Sequence, residues 1–383
     1  MDFELTDDMI ALRDMARRFA ADEIGPHARK WDQTGEISSD AISKMAKLGF
    51  LGTLVPSDLD GAELGYLGNA IVIEEVARHC GGTALMLAAH NGLCLGHILH
   101  AASEEQKRQF IPPLARGEML GAWCLTEPGS GSDAAALKTR AVLKGDEWVL
   151  NGAKMFITNG HTAGVFVVLA RTSDESKSRG ISAFIVERNR PGLSTGPKED
   201  KMGMRASDTV PVTLDEVRVP KANLCGQLNN GFIDTLKVLE RGRIGIGALS
   251  VGLARGALEE SLSYAKQREQ FGKPLTGHQT LQFMMADMAM EIDAARLLVR
   301  KAAWLQDRGE GTEVESATAK LFASEMATRA CLNGIQICGG YGYMKELPIE
   351  RLMRDAKLCE IGEGSSQVQR MIIARSLLQL DKG

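Results

Sequence analysis

Between about Ala122 and Gly226 the apolar residues alternate, whereas on both sides of that block they recur at helical spacing. This switch of period constrains the fold more than any other feature, because a β unit must then sit between two helical ones. The runs VFVVLAR (165–171), ISAFIVER (181–188) and VPVTLDEVRVP (210–220) are rich in β-branched residues, and the clusters KGDE, NGAK and NRPG separate them as turns. No long crossover is visible between these strands, so the spacing predicts an antiparallel barrel or sandwich.

The flanking regions carry their own start and stop signals. Thr6 followed by Asp7 and Asp8 marks a helix start, with the acids complementing the exposed amides. Ser103 and Gln106 have the spacing of a capping box, ahead of a helix expected to end near Pro112 and Pro113. Leu281, Met285, Met288, Ile292, Ala295, Val299 and Ala302 step by four and three along one long helix. Thr312 and Glu315 then cap the next. The fold class expected is mainly α with a central β domain: an N-terminal helical domain (1–121), an antiparallel β-barrel domain (122–226) and a C-terminal four-helix bundle (227–383).

Composition narrows the function. With 383 residues and 44% hydrophobic content, the chain can build two or three packed units. A net charge of −4 gives no footprint for nucleic acid or an anionic membrane. No apolar run approaches the ~20 residues that span a bilayer. The acidic start MDFELTDD lacks the character of a targeting peptide, which predicts a cytoplasmic protein. Seven scattered cysteines without a C-x-x-C pair read as reduced, buried thiols, and His97 and His100 have no partner set for a metal.

Three segments carry candidate chemistry. In WCLTEPGSGSDAAA (123–136), Thr126, Ser130 and Ser132 offer hydroxyls, and Gly129 and Gly131 let backbone approach a flat or anionic group. In isolation this segment reads first as a turn, and its spacing is wrong for Rossmann or Walker loops. In QICGGYGYMKELPIERLMRD (336–355), Gly339, Gly340 and Gly342 interrupt a helix at ~1 kcal/mol each relative to Ala. They suit either a close backbone approach or a helix corner. In CEIGEGSSQVQR (359–370), Glu363 stands between Gly362 and Gly364, just before a helix start near Ser365. Such a carboxylate is either a solvated cap or a group projected into a cavity.

Together these segments resemble the acyl-CoA dehydrogenase family over essentially the whole chain. The run 124–136 is similar to one family signature through Thr126, Glu127, Gly131, Ser132 and Asp133. The run 336–355 is similar to a second through Gly339, Gly340, Gly342, Glu346, Arg351 and Asp355, and REQFGKPLTGHQ (268–279) is also family-like.

The resemblance implies an FAD enzyme. Trp123, Leu125, Thr126 and Ser132 would line the flavin with Phe156, Ile157 and Thr158, and Ser365 and Gln367 would continue the site. Arg268, Phe271, Gln279, Gln336, Gly339 and Gly340 would reach the FAD of a neighbouring subunit, implying a homotetramer. Glu363 would take the α-proton of an acyl-CoA while the flavin accepts hydride from the β-carbon, giving a 2-enoyl-CoA. Ser132, Glu240, Arg243, Gly362 and Gly364 would surround that substrate. Some family branches carry the base at the position that is Gly242 here, which closes that alternative.

Gly362, where straight-chain members often have Tyr, suggests room for a branched or alicyclic acyl group. The segment 83–97, with Ala84 and Ala89, would floor the pocket without a charge for a distal carboxylate. Electrons would pass to electron-transfer flavoprotein. The rivals are an oxidase using oxygen and a non-catalytic FAD-binding scaffold, and retention of Glu363 argues against the scaffold.

Overall fold

A computed structural model describes residues 4–173 and 178–379. Its first region is helical: α1 (Asp7–Phe19), α2 (Ala28–Thr34), α3 (Ser39–Lys47), α4 (Gly65–Ala77), α5 (Gly81–Ala88), α6 (Gly96–Ala101) and α7 (Glu104–Ala115). Thr6 caps α1 by accepting from the Met9 amide, and Ser103 with Gln106 closes a capping box on α7. That helix runs to Ala115, two residues past the second of its prolines. Proline loses its amide but keeps its carbonyl, and Pro112 O still accepts from Arg116 N at 3.0 Å. Buried Phe110, Ile111, Leu114 and Ala115 hold the last turns against the core.

The central region is a mostly antiparallel eight-stranded sheet, open rather than closed into a barrel. Its strands are β1 (Leu120–Cys124), β2 (Arg140–Lys144), β3 (Glu147–Thr158), β4 (Ala163–Arg171), β5 (Ile181–Glu187), β6 (Leu193–Thr195), β7 (Thr209–Pro220) and β8 (Leu224–Cys225). The path β6-β7-β3-β2-β4-β5-β8 leaves β6 and β8 as separate ends. The expectation of a purely antiparallel sheet fails at β1, which runs parallel to β4, and at the single β2–β4 pair. The crossover between β1 and β4 exists, but it is made from a turn and the β2–β3 hairpin, so no helical period announces it.

The last region is the helical bundle of α8 (Gly231–Gln267), α9 (Gln279–Asp307) and α10 (Glu313–Cys338), completed by α11 (Gly340–Tyr343), α12 (Ile349–Cys359) and α13 (Ser366–Leu377). A short hairpin, β9 (Glu269–Gln270) and β10 (Lys273–Pro274), joins α8 to α9. The stripe on α9 is buried from Met285 to Ala302 as its spacing predicts. Across α4 and α8, Arg255 bonds Glu75 at 2.7 Å and Glu74 at 3.2 Å, while Arg17 and Arg296 complete the pairing from α1 and α9. Among the described residues no helix is long and apolar enough to cross a membrane.

Candidate active site

The site forms where three elements meet: the corner between α12 and α13, the first half of α8, and a π-helical stretch, Ala89–Leu95, between α5 and α6. A π-turn is rare and costs regular hydrogen bonding, so its presence here points to a packing demand. Gly92 comes close enough to α8 that a Cβ there would lie 3.7 Å from Gly242 Cα. The same stretch packs on β1, which joins the helical corner to the strand segment.

The corner is strongly specified. Glu363 takes a left-handed backbone with φ 53°, followed by Gly364 at φ 94°. The non-glycine residue is strained there by about 1–2 kcal/mol. Neighbours offset this: Gly364 O accepts from Lys320 Nζ at 2.7 Å and Gln369 Nε2 at 2.8 Å. Ser365 caps α13 through the Val368 amide. Half-buried overall, Glu363 presents an enclosed Oε2 with no hydrogen-bond partner among the described residues. Burial pushes its carboxyl up to about 7, against the pull of Lys320 and Arg243.

Gly242 explains how the carboxylate fits. A Cβ built on it would stand 2.4 Å from Glu363 Oε2 and 3.1 Å from Leu93 Cδ2. Next to it, Arg243 is 5% exposed and its Nε lacks a hydrogen-bond partner among the described residues, while burial holds the guanidinium below its ordinary range. Glu240 lies one turn earlier on α8. A Cβ on Gly362 would meet Leu358 O at 3.6 Å and Leu358 Cγ at 3.9 Å, ordinary contacts that require no shift.

The strand segment is anchored by Glu127. Its carboxylate accepts from the Lys138 and Thr139 amides at 2.6 and 3.0 Å and from Lys154 Nζ at 2.8 Å. Burial opposes the charge of Glu127, but Lys154 and the amides hold its carboxyl below the usual range. Lys154 Nζ also donates to Leu125 O at 3.2 Å, and the Met155 amide to Thr126 O at 2.8 Å. These bonds set Trp123, Leu125 and Thr126 beside Phe156, Ile157 and Thr158. Phe156, at φ 59°, is 60% exposed, and Ser132 is exposed as well. Trp123 Nε1 donates to His97 Nδ1 at 3.3 Å, so His97 orients the indole, a role its sequence position did not suggest. His90 is satisfied across elements, by Leu51 O and the Gly121 amide, whereas Asn91 donates to Phe50 O at 2.8 Å and leaves its buried Oδ1 without a partner among the described residues.

A second group gathers elsewhere. Arg268, Phe271 and Gln279 border the β9–β10 hairpin, while Gln336, Gly339 and Gly340 form the α10–α11 corner. Arg268 lies over the Tyr341 ring at 5.9 Å, which joins the two sets. All six are exposed, Phe271 by 94%. Gly339, at φ 57° and ψ −135°, is where the chain must turn, and glycine alone adopts that conformation readily. Gln336 is sixteen positions beyond Lys320 on α10, about 24 Å along the axis. Ser365 is half-buried beside the Glu363 corner, and Gln367 is exposed on the first turn of α13.

Sequence reasoning missed Lys320, Lys154 and Gln369, each fully buried. The available signal was a lysine set among Ala317, Ala319 and Ala323 on a buried helix face.

The family descriptions "Acyl-CoA dehydrogenase, N-terminal domain", "middle domain" and "C-terminal domain" match residues 6–118, 122–217 and 229–378. The chain belongs to the acyl-CoA dehydrogenase family. A probable acyl-CoA dehydrogenase of Bacillus subtilis is 49% identical over 99% of this chain and 100% of that protein. Butyryl-CoA dehydrogenase from Megasphaera elsdenii superposes with a TM-score of 0.96 at 40% identity, covering 99% and 100% of the two chains. A chain from a structure described as the electron transferring flavoprotein of Acidaminococcus fermentans superposes at 0.97 and 43% identity, with the same coverage. Membership makes the protein an FAD-dependent oxidoreductase acting on the CH–CH bond of acyl-CoA thioesters. The residues fit such a cofactor: the exposed Phe156 ring and Trp123 offer apolar surface, hydroxyls of Thr126, Ser132 and Thr158 offer polar contacts, and Arg268 offers a cation for pyrophosphate.

Proposed function

We propose that this acyl-CoA dehydrogenase converts a short acyl-CoA to its trans-2-enoyl-CoA, with Glu363 removing the α-proton. The observation carrying this reading is the enclosed, unpartnered Oε2 of Glu363, seated on Gly242 beside a buried arginine with a free Nε. A carboxyl that titrates near neutrality is matched to accepting a proton from a weak carbon acid. Bound FAD supplies the acceptor for the β-hydride. Trp123, Leu125, Thr126, Ser132, Phe156, Ile157, Thr158, Ser365 and Gln367 would hold the flavin. Arg268, Phe271, Gln279, Gln336, Gly339 and Gly340 would hold a neighbouring subunit's FAD in a homotetramer. Their exposure, and the long span of α10 between Gln336 and Lys320, support that sharing. Arg243, with Ser132, Glu240, Gly362 and Gly364, would position the acyl-CoA.

Gly242 gives a test of the geometry. Alanine raises helix propensity by ~1 kcal/mol, so Gly242→Ala should keep the fold and the flavin. Its methyl would displace the Glu363 carboxylate, and a shift of this order lowers kcat/KM by about 10²-fold. Unchanged kcat/KM in this variant would refute the placement.

The missing side chain at Gly362 supports a branched or alicyclic acyl group, while the likeness to a butyryl-CoA enzyme supports a short one. Ala84 and Ala89 put no charge on the pocket floor. Anaerobic flavin bleaching against linear, branched and alicyclic acyl-CoAs decides the point. Branched and alicyclic thioesters of four to six acyl carbons should bleach at least as fast as butyryl-CoA, and a marked preference for linear butyryl- or octanoyl-CoA would remove the branched assignment. Electrons would leave to electron-transfer flavoprotein; peroxide formation outpacing its reduction would favour an oxidase. Seven buried free thiols accord with a reducing, cytoplasmic setting.

A further inference from the structure

Lys320 is 0% exposed on the face of α10 that also buries Ser316, Ala317, Ala323 and Ser324. A lysine in such a place is strongly disfavoured unless its charge has a use. Its ammonium donates to Gly364 O at 2.7 Å, the carbonyl that follows the left-handed Glu363. Gln369 Nε2 already donates to that same oxygen at 2.8 Å. The corner is thus held by two donors, one neutral and one charged, and what Lys320 adds beyond its hydrogen bond is a positive charge behind the carboxylate.

We propose that Lys320 is a positioning residue for Glu363, which fixes the corner bearing the carboxylate and favours its ionised, proton-accepting form. The proposal rests on Glu363 being the base. Burial disfavours the Glu363 anion, and Lys320 with Arg243 of α8 opposes that effect. The groups facing Lys320 are Cys359 at the end of α12, Glu360 and Glu363 of the corner, and Arg243. Glu360 is engaged by Lys357 at 2.7 Å and Thr328 at 2.5 Å, and Arg243 is further influenced by Glu313 and Glu240. Burial lowers the Lys320 ammonium itself to about 8, so it is still mostly charged where Glu363 is half titrated.

Two variants of the FAD-loaded protein separate charge from hydrogen bonding: Lys320→Gln keeps a donor without charge, and Lys320→Arg keeps both. The readouts are FAD content, the acid limb of kcat/KM, and the pH at which the Glu363 carboxyl band appears by infrared difference, assigned by its loss in Glu363→Gln. Lys320→Gln should retain FAD and move both titrations to higher pH by about one unit. At acidic pH kcat/KM then falls about tenfold. Lys320→Arg should restore both titrations. An unmoved carboxyl titration in Lys320→Gln overturns the proposal, and loss of FAD in both variants does so by reducing Lys320 to a packing residue. Full turnover in Glu363→Gln would instead remove the base assignment, while the infrared titration still reports on Lys320.

Discussion

Glu363→Gln should lower kcat by about 10²–10⁴-fold, the usual contribution of a positioned general base, while leaving the yellow FAD complex intact. Glutamine keeps the shape of the side chain and so preserves the strained corner, but it cannot take a proton. The pH dependence has a definite sign. A carboxyl pushed up to about 7 is protonated, and idle as a base, below that pH, so kcat/KM of the native enzyme should rise as pH increases through about 7. That rising limb reports the free enzyme. Its disappearance from the residual rate of Glu363→Gln, measured by stopped-flow flavin reduction, would tie the limb to this residue. A variant with near-native turnover would show that another group accepts the proton.

Lys154→Met should give the largest loss of stability among these variants, about 3–5 kcal/mol, because it leaves Glu127 buried and without its cation. Lys154 is 0% exposed, and its Nζ bridges Glu127 and Leu125 O, so the change also frees the start of the segment proposed to hold the flavin. The Glu127 carboxyl lies below its ordinary range in the folded protein, so the stability it contributes is present above the unfolded value and lost as pH falls through the folded one. Chemical denaturation should therefore show a native protein that weakens on acidification, and a Lys154→Met variant that is weaker throughout and releases FAD more readily. A loss below about 1 kcal/mol would mean that the pair is structurally idle.

Much of this architecture is legible in the residues themselves. The α9 stripe, the capping box at Ser103 and the Thr6 start are local patterns, and local patterns survive folding when packing agrees with them. The parallel β1–β4 pair was hidden because its crossover is a hairpin, which carries no helical period. Pro112 and Pro113 marked a helix end too early because burial of Leu114 and Ala115 keeps the last turn formed. At the site, glycines around Glu363 signalled a corner, yet which residue takes the left-handed backbone depends on bonds from Lys320 and Gln369. Those partners lie 43 residues before and six after Glu363, and no local spacing connects them to it. The enclosure of the carboxylate by Gly242 and Leu93 is likewise a product of three elements meeting.

Proton removal can be separated from hydride transfer by choosing a thioester that allows only the first. An acyl-CoA with sulfur in place of its β-carbon retains an acidic α-hydrogen but has no β-hydride to give. Incubated in D₂O with the FAD-loaded protein and followed by NMR, it should lose its α-hydrogen signals to deuterium with the native chain and keep them with Glu363→Gln. Exchange that persists in the Glu363→Gln protein would contradict the assignment of Glu363 as the base.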